Sequence, residues 1–168
     1  MSGLNEYQQA LLVALRSGEY KQGRGAIKAV FPDGHAEYCC IGVACDVFGK
    51  NPSKDWPTSV PFFGGEVPRD GDNAVIYTAS SAEGSASGDP LGWAHRLDPI
   101  MMKQFGLTVD DFATMVSMND GHDWSFEMIA TVLEYAWLEE TSVAKQAEQL
   151  CQRMAREFKY QSERPTLA

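Results

Sequence analysis

RSGEYKQGRGAIKAVFPDGHAEYCCIGVACDVFG, residues 16–49, is the stretch whose reading decides the fold class. Pro32-Asp33-Gly34 is a strong turn signal: proline presets its φ, aspartate bonds to backbone ahead of it, and glycine accepts positive φ. The runs on either side of it are β-compatible, so the segment predicts a hairpin of roughly 25–31 with 35–40. Directly after it, Ile41, Ala44 and Val47-Phe48 recur at helical spacing and Gly49 ends the run, which predicts a short buried helix. Upstream, Leu4, Tyr7, Leu11, Leu12, Ala14 and Leu15 share one helical face, with Asn5 or Ser2 as cap and Gly18 as terminator, giving a helix of about 5–17.

Working outward, residues 50–73 are rich in proline and glycine and read as a long irregular connection anchored by Trp56, Phe62 and Phe63. AVIYTA (74–79) reads as a further strand. SSAEGSASGDPLG (80–92) is small, polar and flexible in composition, and reads as a surface loop within the domain. The remainder is helical: a short helix over 98–105, a second opened by Thr108-x-x-Asp111, a third capped by Ser125 and a last one capped by Thr141 or Ser142. The tail, 161–168, is expected to fray. Together these elements predict one α+β domain over 1–168, a small antiparallel sheet packed against several helices.

The chain has 168 residues and a formal net charge of −9, which disfavours non-specific binding to DNA or to an anionic membrane. Its charge is uneven. Residues 1–30 carry Arg16, Lys21, Arg24 and Lys28 against Glu6 and Glu19, whereas the rest holds ten basic and 21 acidic residues. A small anion can therefore be accepted near the N-terminus, while a long nucleic acid meets repulsion elsewhere. No apolar run approaches the ~20 residues of a membrane span. With no cationic leader, the expectation is a cytoplasmic protein with reduced thiols.

Four groups of residues could carry chemistry. Cys39, Cys40 and Cys45 lack a second pair of ligands for zinc, and Cys151 lies on an apolar helix face far downstream, so no metal or cofactor is expected and the thiols read as core residues. A thiol nucleophile would need His35, His95 or His122 as its base, and no spacing selects one. YKQGRG (20–25) combines two glycines, which permit close backbone approach, with Lys21 and Arg24, which donate to phosphate oxygens. The same hexapeptide serves equally as a plain turn with solvated cations. MNDGHDW (118–124) offers Asn119, Asp120, His122 and Asp123 as acid, base or ligand, or else as the cap between two helices.

LRSGEYKQGRGAIK, YCCIGVACDVFG and MNDGHDWSFEMIATVLE together resemble a family of small proteins encoded by tailed phages and prophages, whose members read LRSGxYxQxxGxLR, CCLGVLCD and LNDxGxSFxxIAxxIE. The resemblance covers roughly 11–49 and 105–134. It implies an accessory protein of a phage, active in the host cytoplasm, and puts weight on Tyr20, Lys21, Gln22, Gly23, Arg24, Cys39, Cys40, Asp46, Asn119 and Asp120. The leading expectation is a non-catalytic protein that sequesters a small anionic, nucleotide-derived ligand such as a host immune signal. Lys21 and Arg24 would meet phosphate, and Tyr20, Tyr38 or Trp56 would stack on a base; a homo-oligomer would suit such a ligand. Two further readings stay open: a hydrolase of the same ligand using Asp46, His122 or Cys39, and a protein that docks on a host defence factor.

Overall fold

A computed structural model describes residues 3–25, 27–50, 62–69, 72–79, 99–122 and 124–162. The chain begins with helix α1 (Glu6–Arg16), capped as expected by Asn5, whose side chain accepts from the Gln8 backbone N–H while the Gln8 side chain accepts from that of Asn5. Strands β1 (Lys21–Gln22), β2 (Lys28–Val30) and β3 (Ala36–Tyr38) follow, then helix α2 (Cys40–Lys50). Strands β4 (Phe62–Arg69) and β5 (Asp72–Ala79) precede helices α3 (Pro99–Phe105) and α4 (Val109–Val116). A π-helical turn, Ser117–Gly121, leads to α5 (Phe126–Leu138) and α6 (Val143–Ser162).

The hairpin forms as its turn chemistry dictates. Gly34 sits at φ 88°, and its N–H donates to the Phe31 carbonyl at 2.9 Å. β2 and β3 pair antiparallel through Ala29 and Glu37, and β5 joins the other side of β2 through Ile76. The sheet is larger and more mixed than expected, with five strands in the order β1-β3-β2-β5-β4. Two corrections follow. YKQ is not only a turn: Lys21 and Gln22 pair in parallel with Glu37 and Tyr38. The stretch read as an irregular connection contains β4, which pairs antiparallel with β5 along its whole length. Its Gly64, Gly65 and Pro68 hide the strand in the sequence, and Pro68 is tolerated because β4 is an edge strand. Trp56, the 80–92 loop and 163–168 lie outside the described residues, whereas Gln161 and Ser162, expected to fray, complete α6.

α2 is the buried centre of the helical layer. Cys40, Ile41, Val43 and Ala44 are each fully inaccessible, and α1, α4 and β3 pack around it. A helix apolar on all sides belongs in a core. Its approach to the sheet depends on Gly42, since a Cβ there would lie 1.8 Å from the Ile27 carbonyl oxygen. That same oxygen accepts the Cys39 N–H at 3.1 Å, which fixes where the chain leaves β3 and turns into α2. α1 is tied to α5 by Arg16, which pairs with Glu134 at 2.7 Å and with Glu127 at 3.3 Å. One cation of the basic N-terminal segment is thus engaged by the helical layer.

The C-terminal caps are those the residues predict. Thr108 and Asp111 form a reciprocal capping box on α4, and the other carboxylate oxygen of Asp111 accepts the Val143 N–H at 2.9 Å, joining the starts of α4 and α6. Ser125 accepts from the Met128 N–H on α5, and Ser142 accepts from Lys145 N–H on α6.

Gly42→Ala is expected to lower stability by about 3 kcal/mol or more, since backbone must move to admit the methyl group. Gly49→Ala, where an added Cβ meets nothing within 4 Å, is expected to be neutral or stabilising by up to about 1 kcal/mol. Urea denaturation of the two variants beside the parent checks the pair.

Candidate functional site

The expected site residues assemble around β1, and the alternation of a strand divides them between two faces. On the face towards the helices, Tyr20 and Gln22 each make a long-range contact. The Tyr20 hydroxyl donates to Asp46 Oδ2 on α2 at 2.5 Å. Its ring meets Tyr38 edge-on, with centroids 5.1 Å apart and planes at 84°. Lys28 Nζ lies 5.1 Å from the Tyr38 centroid, a cation–π geometry on the adjacent strand. Tyr20, Tyr38, Lys28 and Asp46 are half-buried together, so the aromatic and acidic positions singled out in the sequence form one cluster.

Gln22 is the centre of a second cluster. Its Nε2 donates to Asn119 Oδ1 at 2.9 Å and to the Trp124 carbonyl at 2.8 Å, while its Oε1 accepts the Phe126 N–H at 3.1 Å. Asn119, fully buried, donates in turn to the Gly23 carbonyl at 2.9 Å and to Asp120 Oδ1 at 2.6 Å. Every polar atom of both amides has a partner, which is the condition for burying them at no net penalty. Asn119 is presented by the π-helical turn, and the Trp124 N–H closes back on the Met118 carbonyl at 3.2 Å. The MND turn therefore acts as a structural cap that β1 completes. Asp120 and His122 remain exposed at its outer side.

The opposite face of β1 carries an ionic cluster that the sequence reading missed. Lys21 Nζ pairs with Glu37 Oε1 at 2.8 Å and lies 3.3 Å from His35 Nε2. His35 Nδ1 contacts Asp33 Oδ1 at 2.5 Å, and the ring stacks on Phe31 with centroids 4.2 Å apart. The His35 backbone N–H, and after it the ring, hold the Asp33 carboxyl below its ordinary pKa. Glu37 is 19% exposed and packs against Gly23, where a Cβ would come within 2.8 Å of the Glu37 Cβ and 3.3 Å of its Oε2. The close approach expected at Gly23 is real, but what approaches is this side chain, and the Gly23 backbone is spent internally: its N–H donates to the Tyr38 carbonyl at 2.8 Å and its carbonyl accepts from Asn119. The period-two pattern Asp33, His35, Glu37 was the available signal, since it puts three titratable groups on one face of the hairpin. Arg24, next in the chain, is exposed.

The thiols point away from all of this. Cys39, Cys40 and Cys45 are buried, and burial is the main reason their pKa values rise, to about 12 for Cys39 and Cys45 and well above the ordinary value for Cys40. Backbone N–H groups of Gly42 and Ile41 oppose the rise at Cys39 without cancelling it. Near neutral pH such groups are protonated and unreactive. Cys151, expected on an apolar face, is exposed instead, because that face of α6 is carried by Val143, Ala147, Leu150 and Met154. Among the described residues, no group of three or more His, Cys, Asp or Glu side chains could hold a metal ion. His95 and Asp123 lie outside the described residues.

A family model described as a domain of unknown function (DUF8296) matches residues 5–137, from the cap of α1 nearly to the end of α5, and so spans every cluster above. No curated protein and no solved structure matches the chain.

Gln22→Ala is expected to cost about 2–4 kcal/mol, because it strands the Asn119 and Trp124 oxygens and the Phe126 N–H; a lowered urea midpoint reads it. Alkylation of the folded protein at about pH 8 should label Cys151 alone, with the other three thiols reacting only after denaturation. Mass spectrometry counts the adducts, and native labelling of Cys39 would contradict the burial argument. Since folding raises these thiol pKa values, their contribution to stability is complete below the unfolded thiol pKa. It declines as pH rises from about 9 towards about 12.

Proposed function

The chain belongs to this family, and we propose that it is a non-catalytic binding protein of phage type whose ligand is a small nucleotide-derived anion, sequestered at the β1–β3 corner. The observation that carries the reading is that the YKQGRG turn already receives an anion: the Glu37 carboxylate lies against Gly23 and pairs with Lys21 at 2.8 Å. A phosphate oxygen asks for the same ammonium partner. Arg24 adds a second cation one residue beyond Gly23. The Tyr20–Tyr38 pair, offered by the sequence as a stacking surface for a base, lies on the other face of the strand, towards the helices.

Several features favour binding over turnover. The Gln22–Asn119 cluster is internally satisfied and holds the corner rigid, which lowers the ordering cost of a ligand. The buried thiols are held protonated and face the core, so they supply no nucleophile. The chain's net charge of −9 would repel a long polyanion more strongly than a short one. A setting inside the host cell accords with the reduced thiols, and among the described residues no helix is long and apolar enough to cross a membrane.

Calorimetry against cyclic dinucleotides and cyclic ADP-ribose isomers at about pH 6 tests the reading. One ligand should bind, with affinity reduced about tenfold in Arg24→Ala, and should be recovered intact after the protein is denatured. Absence of heat with every ligand would end the proposal, and recovery of a cleaved ligand would replace it with a hydrolase.

A further inference from the structure

The ionic face of β1 can be satisfied with a neutral imidazole at His35. With His35 Nδ1 donating to Asp33, its Nε2 carries a lone pair, and the group facing that lone pair at 3.3 Å is the Lys21 ammonium. This is the geometry of a neutral imidazole that accepts from lysine. Glu37 stands 3.9 Å from the same nitrogen and 2.8 Å from Lys21. The carboxylate thus sits between two bases and at present satisfies only the lysine.

Protonation changes the balance. Nε2 then becomes a donor, its charge repels the ammonium 3.3 Å away, and the nearest acceptor on that side is Glu37. Asp33, held ionised by its bonds from His35, remains on Nδ1 and anchors the ring. Among the described residues, the groups facing His35 are Asp33 from the turn, Lys21 from β1 and Glu37 from β3, with Phe31 under the ring. Lys28 and Tyr38 alternate to the opposite face. A small movement of Glu37 towards the imidazolium would leave the Lys21 ammonium to another anion.

We propose that Glu37 is a resident competitor at the anion site: an incoming phosphate takes Lys21 in exchange for the Glu37 carboxylate, and protonation of His35 promotes the exchange by offering that carboxylate a second cation. The inference rests on the anion-binding reading above and adds its regulation. Binding is then coupled to uptake of a proton, so the ligand is held more tightly at lower pH.

Calorimetry with cyclic di-GMP, whose phosphodiester charge is constant over the interval, at about pH 7.5 and about pH 5.5 tests it. Parent, Glu37→Gln, His35→Gln and Lys21→Gln proteins are compared after a urea melt shows each is folded. Glu37→Gln should bind about three- to tenfold more tightly than the parent at the higher pH. The parent should gain a similar factor at the lower pH, whereas Glu37→Gln and His35→Gln should change by less than about twofold. Lys21→Gln should bind weakly at both. Equal affinity of the parent and Glu37→Gln at both pH values would overturn the exchange and leave the anion site standing. Weaker binding by Glu37→Gln would overturn it by making Glu37 part of the ligand's support. Absence of cyclic di-GMP binding by both the parent and Glu37→Gln at both pH values would overturn the exchange, while the anion-binding reading falls only if every ligand named above also fails to bind.

Discussion

The side-chain amide of Gln22 is the interaction on which the arrangement depends. Through three hydrogen bonds it joins the first strand to a turn and a helix about a hundred residues later, and Asn119 returns one more from the turn, to the Gly23 carbonyl. An amide in this position is exacting. With all its donors and acceptors matched it costs little to bury, and with one unmatched it costs the full desolvation of that group. The register of β1, the π-helical geometry of Ser117–Gly121 and the start of α5 are consequently set by one another. The segments LRSGEYKQ and MNDGHDWSF, far apart in the chain, meet at this point, which gives a physical reason for both to occur in one domain.

Because Gln22 is held inward, its neighbour Lys21 lies on the opposite face, and the ionic cluster with Glu37 and His35 follows from strand alternation. The same alternation sends Tyr20 to Asp46 and Tyr38. One short strand thereby carries a polar anchor and an aromatic corner on one face, with the Lys21–Glu37–His35 charge cluster on the other. The anchor limits motion of the backbone, so any exchange of partners at Lys21 can be a side-chain event.

The chemistry of the cysteines is decided by where α2 lies. Gly42 lets the helix come against the Ile27 carbonyl, and this close approach seals Cys39, Cys40 and Cys45 into the core. Thiols that look reactive as a cluster in the sequence are converted by burial into packing groups. Acidity nearby, from Asp46 beside Cys45 and Asp120 near Cys39, adds to the same effect.

The residues alone determined much of the local structure: the helix from Asn5, the turn at Pro32-Asp33-Gly34, the buried helix that follows it, and the caps at Thr108, Ser125 and Ser142. Each of these is a contest among groups within a few positions of one another, so composition and spacing suffice. β1 and β4 were not legible, because two residues of YKQGRG and a glycine- and proline-bearing run become strands only when a neighbour supplies the hydrogen bonds. The candidate site divides in the same way. Tyr20, Lys21, Gln22, Gly23 and Asn119 could be singled out by type. Which of them would be spent internally, and that Glu37 would fill the space beside Gly23, depended on partners 14 to 104 positions away. Only the tertiary structure decides such pairings, because no local periodicity encodes which distant donor will satisfy a buried acceptor.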